Sequence, residues 1–132
     1  MRPNDVPRGS PADWLRHARS DLVLAKSSPA DDDVLLETLC FHTQQSVEKA
    51  IKAVLIFRSI PFPKTHNIGV LLDLMSPEIP RNAILDEAAT LTEYAVSSRY
   101  PGEAEDVTRE ELSRAVEIAE RVLTWASEIV PG

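Results

Sequence analysis

The longest periodic stretch of the chain runs from residue 33 to residue 60 and holds neither proline nor glycine. Its apolar positions Leu36, Cys40, Val47, Ala50, Ile51, Val54 and Phe57 recur close to the 3.6-residue helical period. One long central helix is predicted, capped by Asp31, Asp32 or Asp33 and stopped at Ile60 by Pro61 and Pro63. Four further segments carry the same period. Residues 11–26 open on Ser10 as N-cap and Pro11 in first position, with Leu15, Ala18, Leu22 and Ala25 as the stripe. Trp14 lies beside that stripe, and Arg16, Arg19 and Asp21 are expected off it. Residues 66–75, capped by Thr65 or Asn67, make a short helix on Ile68, Leu71, Leu72 and Met75. Residues 81–98 carry Ile84, Leu85, Ala88, Leu91 and Ala95. The last helix, to about residue 129, starts at a capping box in which Thr108 serves the N–H of Glu111 and Glu111 reaches back.

No segment shows a convincing alternation of period two. The pattern therefore predicts an all-α fold, an antiparallel up-and-down four-helix bundle plus one short extra helix. A single domain is expected over residues 10–130, with residues 1–9 (Pro3, Pro7 and Gly9 among charges) as a flexible tail.

The central helix also has an ordered polar stripe. His42, Gln45, Lys49 and Lys52 are spaced 3, 4 and 3, which stacks them on one face. Gln44 and Glu48 form an i,i+4 pair on a neighbouring face, and Glu48 with Lys52 is an i,i+4 ion pair. Such a row of donors suits a phosphate, a nucleotide or an acidic surface, and equally a solvated or dimer-facing strip.

Composition adds one contrast. The net charge of −7 argues against attraction of the whole molecule to nucleic acid or an anionic membrane. Between His42 and His66, however, Lys49, Lys52, Arg58 and Lys64 stand against Glu48 alone, a local net of +3. Lys64, Thr65 and His66 precede a new helix, where free backbone N–H groups favour anions. Arg99 and Tyr100, before Pro101, form a possible binding corner.

Other chemistry lacks a pattern. Cys40 and His42 are two apart and point to different sides of a helix, and His17 and His66 have no partner at zinc-motif spacing, so no metal is expected. There is no nucleophile elbow and no glycine-rich phosphate loop, and no cofactor is expected. The lone Cys40 reads as a small buried hydrophobe, which fits a reducing cytosol. The N-terminal residues lack the apolar region of a secretory leader, and no apolar run has transmembrane length, so a cytoplasmic location is expected.

Phe41-His42-Thr43-Gln44-Gln45-Ser46-Val47-Glu48-Lys49-Ala50-Ile51-Lys52-Ala53-Val54-Leu55 resembles the signature helix of the HEPN family, the nucleotide-binding domains of higher eukaryotes and prokaryotes. Trp14-Leu15 and Ala18-Arg19-Ser20-Asp21-Leu22 resemble its first helix. Thr65-His66-Asn67-Ile68 with Leu71-Leu72, and Leu91-Thr92-Glu93-Tyr94 through Arg99-Tyr100-Pro101, follow in the family's order. The resemblance implies a helical bundle that commonly dimerises and often works with a minimal nucleotidyltransferase in toxin–antitoxin-like pairs. It points to a nucleotide or phosphate-bearing ligand at His42, Gln45, Lys49, Lys52, Lys64, His66, Arg99 and Tyr100.

One departure weighs against catalysis. HEPN ribonucleases use an Arg followed by four to six residues and then a His, and no Arg here has a His at that distance. The expectation is therefore a binding module without catalytic residues. The alternatives are a ribonuclease toxin and a bundle used only for protein interaction, and RNA is not the favoured ligand.

Overall fold

The computed structural model describes residues 9–27, 31–96 and 106–131, and among these all regular structure is helical. The order is α1 (Pro11–Ser27), α2 (Leu36–Phe57), α3 (Ile68–Asp73), α4 (Ala83–Ala88), a 3-10 turn (Ala89–Thr92), α5 (Glu93–Val96) and α6 (Arg109–Ile129). α1 packs along α2, α6 closes on both, and α4 lies on α6. This is the expected all-α bundle, with α3 as the short extra helix. The expected tail lies outside the described residues except for Gly9, and so do Arg99 and Tyr100.

The apolar stripes meet in one core. Leu15, Ala18 and Leu22 of α1, Val47, Ala50, Ile51 and Val54 of α2, and Ala115, Ala119 and Val122 of α6 are all buried in it. Each fully buried Leu, Ile or Val contributes about 1.5–3 kcal/mol. Leu39, Cys40, Val107 and Leu112 make a smaller cluster at one end. Phe57, counted in the apolar stripe of the central helix, is instead exposed. Polar ties hold the helices in place: Arg19 donates to Ser127, Lys26 to Glu120, and the Trp125 indole to the Pro80 carbonyl.

Three boundaries differ from the expectation. No Asp side chain caps α2, whose N-cap is the extended Leu35. Asp31 instead bends the chain before it, accepting from the N–H of Asp33 on its carboxylate and of Val34 on its carbonyl. Short acidic side chains readily satisfy nearby backbone in this way. α2 also stops at Phe57, three residues before Ile60. Ser59 adopts φ 58° there, while its N–H donates to Ile56 and that of Ile60 to Leu55. That paired closure is the Schellman motif, which glycine usually serves. Finally, the helix expected over 81–98 begins at Ala83 and tightens into 3-10 geometry at Ala89. The Thr90 hydroxyl donates to the Glu87 carbonyl, and the Thr92 hydroxyl accepts the N–H of Ile68. These threonines serve local and tertiary bonds that compete with a regular helix.

The Thr108 cap forms as expected, its hydroxyl accepting the N–H of Glu111. The Glu111 carboxylate also receives the Tyr94 hydroxyl. Burial, then that hydrogen bond, pushes the Tyr94 phenol far above its ordinary value.

Candidate functional site

The polar stripe of α2 resolves into two clusters, each built around a carboxylate. In the first, Asp21 of α1 lies between two side chains of α2. Lys49 Nζ donates to its Oδ2 at 2.7 Å, and His42 Nδ1 lies 3.1 Å from its Oδ1. A carboxylate only accepts, so Nδ1 carries the proton and Nε2 is left as the other ring nitrogen. The His42 and Lys49 side chains are 28% and 25% exposed, so this cluster is open to solvent along the α1–α2 seam. Phe41 stands edge-on to the His42 ring, 5.5 Å between centroids.

The second cluster has a buried centre, with His66 on its exposed edge. Glu48 is 3% exposed and Lys52 6%. Glu48 Oε2 accepts from Lys52 at 2.9 Å, and its Oε1 meets Gln44 at 3.0 Å and His66 Nδ1 at 2.9 Å. Gln44 also donates to the His66 carbonyl and accepts from Gln45. Above Lys52 lie the rings of Trp14 and Phe62, at 5.7 and 5.5 Å from the ammonium. Burial pushes the Glu48 carboxyl up, but hydrogen bonds from Lys52, Gln44 and His66, with the Lys52 charge, outweigh it and hold the group below its ordinary value. The cluster fastens the loop before α3 onto α2.

His42 and Lys49 are thus brought together on Asp21, while Gln45, Lys52 and His66 join the network of Glu48. Lys64 is exposed on the loop beside His66. Asp21, expected off the apolar stripe, belongs to the face that meets α2, and its side chain is only 13% exposed. Its spacing with Trp14, Ala18 and Ala25 is 4, 3 and 4, a signal present in the sequence. Nothing in the spacing marks Phe62 as a ring over Lys52. Among the described residues no group of three His, Cys, Asp or Glu side chains is placed to hold a metal ion. None of the described helices is long and apolar enough to cross a membrane.

The all-helical bundle and its sequence together place the chain in a known family. The sequence model of the HEPN domain matches residues 11–130, and the chain belongs to that family. It is 31% identical over 130 residues to the protein named "Putative toxin MJ1304" of Methanocaldococcus jannaschii, covering 83% of this chain and 81% of that one. Among solved structures it is similar to TT1696 from Thermus thermophilus, with TM-score 0.77 and 28% identity over 91% of this chain and 98% of that chain. It is also similar to ST0689, an archaeal HEPN homologue, with TM-score 0.68 and 28% identity over 90% and 96% of the two chains.

Proposed function

We propose that this HEPN domain is the toxin-type member of a two-component pair. It works as a cytoplasmic homodimer, takes a nucleotide or other phosphate-bearing ligand on the α1–α2 face, and pairs with a minimal nucleotidyltransferase. The observation that carries the reading is the convergence of His42 and Lys49 on Asp21 at an open seam. A protonated Nδ1 leaves His42 Nε2 to face a ligand, and Lys49 brings a positive charge within reach of a phosphate. Gln45 lies between them on the same face, and Lys52 and His66 are tied to Glu48 beside it. The relative named as a toxin supports the two-component reading. Exposed Phe41 on α2 and Leu24, three residues beyond Asp21 on α1, give the same face apolar contact for a second copy.

Calorimetry with ATP on the wild type, His42→Ala and Lys49→Ala tests the ligand. The wild type is expected to bind and both variants to lose affinity, and absence of wild-type binding overturns the nucleotide reading. Sedimentation tests the dimer, and co-purification with a nucleotidyltransferase encoded in the neighbouring frame tests the partner. The ribonuclease reading lacks its Arg–His pair. It requires RNA cleavage by the pure metal-free protein, which is not expected.

A further inference from the structure

Lys49 faces two places. Its ammonium rests on Asp21, and its side chain also borders a cavity of about 290 Å³ lined by Gly9, Asp13, Trp14 and His17. That volume lies at the lower edge of the roughly 300–1,000 Å³ of small-molecule sites, room for a ring system and not for a whole nucleotide. Its aromatic wall is pre-positioned. Trp14 meets Phe62 edge-on, with centroids 6.5 Å apart and planes at 88°, and Lys52 lies over its ring. Its acceptor is fixed as well. Asp13 is buried, takes the N–H of Gly9 at 3.0 Å and Arg16 at 2.7 Å, and has His17 Nε2 at 3.7 Å. The hydrogen bond from Arg16, then that from Gly9, hold its carboxyl below the usual range, so it stays an acceptor.

From this cavity the seam leads past Lys49 to His42, seven residues or about 10 Å along α2. Among the described residues the charged pairs along this path are Arg16 with Asp13 and Lys49 with Asp21. They sum to zero, with His17 and His42 adding positive charge only when protonated. The charge of these pairs is balanced, and a base contact in the cavity adds a second point of attachment for a phosphate-bearing ligand.

We propose that the cavity is the base subsite for the ligand whose phosphates meet Lys49. It takes an amino-bearing purine against Trp14, Asp13 accepts from the exocyclic amine, and the phosphates run along α2 toward His42. This rests on the phosphate reading of the seam. It adds the base class and the residues that choose it.

The experiment compares ATP, ITP and inorganic tripolyphosphate on the full chain by calorimetry. ITP differs from ATP at the exocyclic position, and tripolyphosphate has no base. Loss of one hydrogen bond to a charged acceptor predicts about tenfold weaker binding of ITP, and tripolyphosphate should fall further. Fluorescence supplies an independent reading. With Trp125→Phe, Trp14 is the remaining tryptophan, and ATP should quench it while tripolyphosphate should not. Where that variant does not fold, His17→Ala replaces it and should weaken ATP without changing tripolyphosphate. Equal affinity for ATP and tripolyphosphate, with no quenching by ATP, overturns the base subsite and leaves the phosphate site standing. Equal affinity for ATP and ITP overturns the role of Asp13. Failure of all three ligands to bind overturns both readings.

Discussion

Lys49 and Asp21 meet 2.7 Å apart across the seam between α2 and α1, and His42 shares the same carboxylate. The pair is partly exposed, so its worth to folding is small, about 1 kcal/mol at most. Its worth to binding has the opposite sign, because Asp21 occupies the charge that a phosphate needs. Asp21→Asn should therefore lower the urea midpoint slightly and raise affinity for tripolyphosphate severalfold. Equal or weaker binding by Asp21→Asn would mean that Lys49 is no phosphate ligand.

Glu48 should behave differently because it is buried. Glu48→Gln leaves the Lys52 ammonium without its carboxylate partner, and such a loss typically costs about 3–5 kcal/mol. Replacing both, as Glu48→Leu with Lys52→Met, removes the uncompensated charge and should recover most of that stability. Denaturant titrations of the three variants against wild type read the difference. A Glu48→Gln protein as stable as the parent contradicts the buried network.

The same carboxylate sets an acid limit. Its folded value lies below its ordinary 4.5, so its contribution is complete above that value and is lost as pH falls through the folded value. Wild-type stability should decline below about pH 4.5, and Glu48→Gln should decline less steeply over the same window. Urea midpoints measured from pH 7 down to pH 3 check it.

Ser46 Oγ is fully buried on α2 and has no hydrogen-bond partner among the described residues. Ser46→Ala removes an unsatisfied hydroxyl and adds helix propensity, with an expected gain of about 1 kcal/mol. Calorimetric melting detects it as a raised Tm. A drop in Tm would indicate a partner for that hydroxyl.

Ser59 closes α2 at φ 58°, where a side chain is strained and glycine is not. Ser59→Gly should gain about 0.5–1 kcal/mol, read as a shift in the denaturation midpoint with unchanged slope.

Much of this fold was legible in the order of residues. The stripes of α1, α2 and α6 recur at the helical period, and burial of one face per helix follows from local geometry alone. The Thr108 cap and the Gln44–Glu48–Lys52 spacing were equally readable, since all of these act within one or two turns. The end of α2 was not, because Ser59 takes a conformation that its own chemistry disfavours. Nor was the broken helix at Ala89, where Thr92 serves Ile68 from another segment.

The candidate site divides the same way. By itself the sequence determined that His42, Gln45, Lys49 and Lys52 share one face of one helix, since side-chain direction follows from the helical repeat. It did not determine which of those cations remain open. Only the tertiary structure placed Asp21 against Lys49, sank Lys52 between Glu48 and two rings, and left a cavity beside Trp14. Those are contacts between segments far apart in the chain. They depend on how α1 and the loop before α3 dock on α2, and no local spacing encodes that docking.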